Sequence, residues 1–153
     1  MSALCLLDTS VFVEILNIPS MSNKHDEILS CLEQKIIETE DIFLPMATIL
    51  ETGNHISKNG DGNLRRKCAG LFVDHVKKAL NGETPFKPIS FLNTEELIQW
   101  LTDFPDVAMQ GLGLGDLSII HDWRRLCRQN PSRRVYIWSL DQHLSSYDQP
   151  AKI

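Results

Sequence analysis

Four acidic residues lie where predicted strands give way to helices. They are Asp8, Glu51, Asp116 and Asp141. Ligands gather at the carboxyl ends of the strands of a parallel sheet, so we expect these side chains to meet at one edge of the sheet. Neighbouring carboxylates raise one another's pKa values and destabilise the fold unless a cation is present. Because oxygen-rich sites suit Mg²⁺ or Mn²⁺, the set predicts a metal centre.

Each of the four acids also has an ordinary structural explanation. Asp116 follows a glycine and can cap the helix that it begins. Asp8 and Asp141 can be turn residues, and Glu51 can pair with His55 one helical turn later. For any single residue both explanations stay open, and it is the combination of the four that favours the metal centre.

Short apolar runs alternate along the chain with longer segments of helical periodicity. Predicted strands cover residues 3–7, 42–44, 88–92 and 135–139. Predicted helices cover residues 11–16, 24–39, 46–57, 64–80, 94–104 and 116–129. Strands that alternate with helices form a parallel sheet with helices on its faces. We therefore expect an α/β fold, a three-layer sandwich with a central, mainly parallel sheet flanked by helices, in a single domain over residues 1–153.

The helix predicted over residues 24–39 shows which of its side chains should face the core. The apolar positions repeat at the spacing of one helical face. They are Ile28, Leu29, Leu32, Ile36 and Ile37. We expect all five to be buried against the sheet.

Short sequence segments surround each of the four acids. They are Leu6-Leu7-Asp8-Thr9-Ser10, the stretch from Leu44-Pro45 to Ile49-Leu50-Glu51, Gly113-Leu114-Gly115-Asp116-Leu117-Ser118-Ile119-Ile120, and Trp138-Ser139-Leu140-Asp141-Gln142-His143-Leu144. In this order they resemble the successive acidic motifs of the PIN-domain nucleases, over nearly the whole chain. The final edge strand that often follows in that family is expected to be short or missing, since few residues follow Asp141.

The resemblance implies a metal-dependent ribonuclease, similar to the toxins of VapBC-type toxin–antitoxin pairs. It makes Asp8, Glu51, Asp116 and Asp141 candidate catalytic residues that hold Mg²⁺ or Mn²⁺, with Asp8 and Asp116 as the principal ligands. The metal would activate a water for in-line attack on the phosphodiester, which leaves a 5′-phosphate and a 3′-hydroxyl. The resemblance also implies an antitoxin protein as a partner and a homodimer.

Three hydroxyl side chains accompany the acids. Thr9, Ser10 and Ser139 match small hydroxyl positions of the family. Such side chains cap helices and close turns, and Ser139 could instead orient a metal ligand. The sequence leaves both roles open.

The charge of the chain is segregated. The formal net charge is -5, which argues against nucleic-acid affinity over the whole surface. Within a segment rich in arginine, Arg124, Arg125 and Arg128 share much of one helix face. We predict that they guide an RNA backbone through phosphate contacts, and the alternative is a solvated basic helix end that favours the helix dipole.

Cysteine spacing and hydropathy bear on the compartment. The four cysteines show no C-x-x-C spacing and no secretory leader precedes them, so we expect reduced thiols. The apolar run that begins at Leu4 is broken by Asp8 and is too short for a membrane span. The sequence predicts a cytoplasmic protein with no membrane partner.

The sequence lacks the residues that two other functions of α/β folds require. A phosphotransfer receiver needs an aspartate at the end of a middle strand and a late lysine, and neither is in place. An aspartyl phosphatase needs Asp-x-Asp, whereas Asp8 is followed by Thr9 and Ser10. The remaining alternative is a catalytically inactive PIN-fold module that binds RNA or another protein, and metal-dependent cleavage separates the two.

Overall fold

The computed structural model describes residues 1–89 and 93–153. In that part of the chain one sheet contains five strands. They are β1 (Leu4–Leu7), β2 (Asp41–Leu44), β3 (Phe86–Pro88), β4 (Val135–Trp138) and β5 (Asp148–Gln149). Their order is β3-β2-β1-β4-β5, with β1 to β4 parallel and β5 antiparallel to β4. The expected α/β fold with a mainly parallel sheet is confirmed, and the edge strand β5 is short.

Helices connect the strands and cover the sheet. They are α1 (Thr9–Leu16), α2 (His25–Ile37), α3 (Met46–Ile56), α4 (Gly62–Leu80), α5 (Thr94–Met109), α6 (Leu114–Gln129) and α7 (Gln142–Ser145). All four residues of β1 are buried, as expected for a strand between two apolar layers. Cys5 and Leu7 pack with residues of α1, α2 and α4, whereas Leu4 and Leu6 pack with residues of α6. The arrangement is compatible with three layers.

The strand predicted over residues 88–92 lies earlier than expected, because β3 is Phe86–Pro88. The β3 backbone pairs with β2, so that Phe86 lies opposite Ile42. Phe86 is buried in the core with Ile42, which fixes this register. Residues 90–92 of the prediction lie outside the described residues.

The inner face of α2 differs from the prediction at its last turn. Ile28 and Leu32 are buried, but Ile36 and Ile37 are 47% and 73% exposed. The inward position of that turn belongs to Lys35, whose ammonium lies over the rings of two aromatic residues of β4. A cation over aromatic faces is favourable, so the lysine displaces the two isoleucines from the core.

Helix α5 continues past its predicted end at residue 104. Proline usually ends a helix because it lacks the N–H that would bond to the carbonyl four residues earlier, yet α5 includes Pro105. Leu101, whose carbonyl loses that bond, is 53% exposed, so water can replace the bond. None of the helices in the described residues combines the length and the apolar character needed to cross a membrane.

Candidate metal centre at the carboxyl edge of the sheet

Asp8 is the first residue after β1 and the N-cap of α1. Its side chain is buried, and its Oδ2 atom accepts hydrogen bonds from Ser10 Oγ and from Ser139 Oγ, both at 2.8 Å. Both hydroxyls also accept hydrogen bonds from the loop after β4. The backbone N–H of Leu140 donates to Ser10 Oγ, and the backbone N–H of Asp141 donates to Ser139 Oγ. Ser10 and Ser139 therefore order this loop and hold the carboxylate of Asp8, while the orientation of a metal ligand by Ser139 stays a prediction.

Glu51 reaches the same place from α3. Its half-buried carboxylate accepts a hydrogen bond from Thr9 Oγ1 on Oε2, at 3.2 Å. It does not form the ion pair with His55 that the spacing allows. Burial raises the pKa of Glu51, and the neighbouring charge of Asp116 raises it further. Gly115 makes room for this side chain, because a Cβ atom there would clash with Glu51 Oε1.

The sequence predicts Asp116 as the N-cap of α6, and the structure shows that this is wrong. The helix begins two residues earlier with Gly113 as N-cap, so Asp116 lies at the third helical position. Because Gly113 has no side chain, Asp116 Oδ2 reaches back to accept its N–H at 3.4 Å. Burial raises the pKa of Asp116 against the effect of this hydrogen bond, and the charges of Asp8 and Asp141 add to the increase.

The three carboxylates form what we call the acidic cluster, Asp8, Glu51 and Asp116. One oxygen from each lies within 4.8 Å of the others. None of the ion pairs among the described residues includes any of the three. Three acids from three elements therefore share one place without a basic partner, and their oxygen atoms are the ligands that Mg²⁺ and Mn²⁺ prefer.

The structure does not bring Asp141 into this cluster. Its Oδ1 atom accepts the backbone N–H groups of His143, at 2.7 Å, and Leu144, at 3.2 Å, and so caps α7. The residue is exposed at the rim of the cavity that the acidic cluster lines. Asp141 thus has the structural role of a capping residue, and its negative charge raises the pKa of Asp116.

The cavity around the acidic cluster has a volume of about 330 Å³. Its wall includes His55, for which the sequence indicates only a possible pairing with Glu51. The charges of His55 and His143 oppose the increases in the pKa values of Glu51 and Asp116, respectively. Nothing in the sequence segments pointed to His143, because its proximity to Asp116 depends on how α7 packs.

The three arginines predicted to bind RNA are placed differently from one another. Arg124 and Arg128 are exposed and line a shallow cavity with Lys152. Arg125 is half-buried, with its Nη2 3.1 Å from Asp122 Oδ1 and its Nη1 3.5 Å from Glu96 Oε1. Since a helix rises about 1.5 Å per residue, the exposed pair lies about 12 to 18 Å along α6 from the acidic cluster. Their contact with RNA stays a prediction.

Comparison with known proteins adds no relative. No family model matches the chain, and no curated protein matches it. The resemblance to PIN-domain nucleases thus depends on the four sequence segments.

Proposed function

We propose that the protein is a Mg²⁺- or Mn²⁺-dependent ribonuclease of the PIN type. The observation that supports this most strongly is the acidic cluster, in which ligand atoms of three acids lie within 4.8 Å of one another. Such a group is destabilising without a cation. A polyanion such as RNA also needs a cation before it can approach these charges.

In this proposal the acidic cluster binds the metal ion, and three hydroxyl groups orient two of the carboxylates through hydrogen bonds. Ser10 and Ser139 both donate to Oδ2 of Asp8, and Thr9 donates to Oε2 of Glu51. The other oxygen of each carboxylate accepts no hydrogen bond from a described residue. These hydroxyls are positioning residues, which orient the ligands before the ion binds. When bound, the ion lowers the pKa of a water and neutralises charge that develops on the phosphate.

The proposal extends to the partners that the sequence suggested. Helix α5 has no buried residue, and it exposes Leu97, Ile98 and Leu101. Exposed apolar side chains in a row are typical of protein contacts. A second copy of the chain or an antitoxin protein is the partner proposed for this face, and the cytoplasm is the proposed compartment.

The alternative is a PIN-fold module that binds RNA or protein without cleaving it. An intact acidic cluster with its hydroxyl partners counts against that alternative, since binding alone would not need three unpaired acids. The two are separated by incubating a mixed pool of single-stranded RNA with the protein in Mg²⁺, in Mn²⁺ and in chelator. The proposal predicts cleavage with either ion and none in chelator. Equal cleavage in all three would contradict the metal mechanism, and no cleavage with either ion would favour the binding module.

A further inference from the structure

A second cavity adjoins the acidic cluster, and we call it the side cavity. Its volume is about 430 Å³, and it lies between α3, α5 and α6. Its apolar wall consists of Met46, Ala47, Leu50, Ile89, Trp100 and Leu114. Glu51 lines both this cavity and the one around the acidic cluster. A group bound in the side cavity would therefore be separated from the acidic cluster by one side chain.

Two polar side chains on successive turns of α6 also line the side cavity. Ser118 and Asp122 are only 5% and 6% exposed. Asp122 Oδ1 accepts a hydrogen bond from Arg125, but its Oδ2 atom and the Ser118 hydroxyl have no partner among the described residues. Among the described residues, only one polar side-chain atom is both inaccessible to solvent and without a hydrogen-bond partner, and it is the hydroxyl of Thr52. The two unpaired atoms of Asp122 and Ser118 are therefore accessible to solvent, and both residues line the side cavity.

The residues that line the side cavity indicate what kind of ligand it can bind. No lysine or arginine of the described residues lines it, so it offers nothing to hold a phosphate. Its walls suit a flat apolar surface, and they include the half-buried indole of Trp100, which stacks on His121 with ring centroids 6.1 Å apart and can extend that stack to a bound ring. The free carboxylate oxygen of Asp122 requires a hydrogen-bond donor. A purely apolar ligand would leave that oxygen and Ser118 unpaired, which is unfavourable.

We propose that the side cavity binds a nucleobase of the RNA next to the cleaved phosphate, and that it prefers a base with an exocyclic amino group over uracil. This rests on the proposed ribonuclease function, because the adjacent acidic cluster is what brings RNA there. Adenine, cytosine and guanine each carry an amino group that can donate to Asp122. Uracil has carbonyl oxygens in the corresponding place, and because its one ring N–H lies between them, a carboxylate that approaches this N–H is repelled by both oxygens. Single-stranded RNA is commonly bound by stacking and by hydrogen bonds to the base edge.

Binding of neutral nucleosides in chelator tests the side cavity without any cleavage. Adenosine, cytidine and uridine would be titrated into the protein while the indole N–H resonance of Trp100 is followed by NMR, assigned with Trp100→Phe. We expect adenosine and cytidine to bind at least about tenfold more tightly than uridine, which corresponds to 1.4 kcal/mol. Asp122→Asn should remove the preference, since an amide also donates. A Trp100 resonance that no nucleoside shifts would overturn the proposal.

A matched control and a cleavage assay complete the test. Asp106→Asn changes an exposed acid of α5 outside the side cavity, so it should keep the preference of the parent. In RNA cleaved by the parent, uridine should be depleted at one fixed position beside the cut, and Asp122→Asn should restore it. Nucleoside binding without cleavage would support base binding in the side cavity and contradict the proposed ribonuclease function. Cleavage without base preference or nucleoside binding would contradict the side cavity alone.

Discussion

The two edges of the sheet use the same residue types in opposite ways. At the amino edge the acids are paired with bases. Asp41, the first residue of β2, lies 2.7 Å from Arg133 and also bonds to Lys87, while Asp148 lies 2.7 Å from Arg134. At the carboxyl edge the acidic cluster has no such partner among the described residues. The chain therefore has lysines and arginines that pair with acids at the amino edge, whereas none of the described lysines and arginines forms an ion pair with the acidic cluster.

The pKa values show what this difference means for stability. Burial alone would raise the pKa of Asp41, but the hydrogen bonds from Lys87 and Arg133 outweigh it and lower the pKa. Burial raises the pKa values of Glu51 and Asp116, and neighbouring acids raise them further. Ionisation thus stabilises the fold at the amino edge and destabilises it at the carboxyl edge. An edge that costs stability is better explained by binding than by structure.

The largest expected effect comes from removing one charge of the acidic cluster. Asp116→Asn keeps an oxygen that can accept the Gly113 N–H, so the fold should survive. Cleavage of RNA should fall by at least about a hundredfold, the loss typical of a positioned catalytic group. The metal-free variant should melt at the same temperature as the parent or higher, because a repulsion is relieved.

The control for this variant is Asp106→Asn, which removes an exposed acid that forms no ion pair among the described residues. It should cleave like the parent. Normal cleavage by Asp116→Asn would reduce Asp116 to a helix-capping residue.

The reverse behaviour is expected at the amino edge. Asp41→Ala removes the acceptor for Arg133 and Lys87, and hydrogen bonds to charged groups contribute about 2 kcal/mol. The free energy of unfolding in urea should therefore fall by about that amount, while the folded variant still cleaves RNA at the parent's rate. A stable variant with impaired cleavage would mean that the two edges are not separate in function.

Acid should affect the two edges in opposite directions in the metal-free protein. A carboxyl with a raised pKa binds more protons folded than unfolded, so Glu51 and Asp116 destabilise the fold as pH rises from their ordinary range through the raised values. Asp41 stabilises the fold above its ordinary pKa of 3.8, and that stability is lost as pH falls toward the lowered value.

Urea unfolding across pH 3 to 8 would separate these contributions. Relative to the parent, Asp116→Asn should lose less stability as pH rises, and Asp41→Asn should lose less as pH falls. Parallel curves for the three proteins would contradict the contrast between the edges.

The smallest expected effect concerns the exposed arginines. Replacing Arg124 and Arg128 by alanine should weaken RNA binding and reduce the slope of log affinity against log salt by roughly 0.7 for each lost phosphate contact. Arg125→Ala should change the slope less, because its guanidinium is engaged by Asp122 and Glu96. Binding to a fluorescent single-stranded RNA at several salt concentrations measures this. An unchanged slope in the double variant would contradict the phosphate contacts and would mean that Arg124 and Arg128 belong to a solvated helix end.

Much of the acidic cluster follows from the sequence because strand ends are visible in it. Asp8 ends an apolar run that is typical of a buried strand, and Glu51 and Asp116 follow from the next strand and from the glycine-rich break. The bond from Thr9 to Glu51 could not be foreseen, since it joins residues 42 positions apart through the packing of α1 on α3.

Other features depend on competition between neighbours that periodicity does not show. The apolar positions of α2 predicted that Ile36 and Ile37 are buried, but Lys35 takes the inner position against β4. The side cavity was likewise not predictable, because two of its polar residues, Ser118 and Asp122, look like ordinary residues of a polar helix. Their burial results from the packing of α5 and α3 around α6.

The central claim is that the carboxyl edge is a cation site, and direct binding of Mn²⁺ tests it without RNA. Isothermal titration calorimetry would compare the parent with Asp8→Asn, Asp116→Asn and the control Asp106→Asn. We predict saturable binding to the parent and the control, weakened at least about tenfold in the two cluster variants, as expected when a ligand carboxylate is lost. No binding to the parent, or equal binding to all four proteins, would contradict the claim.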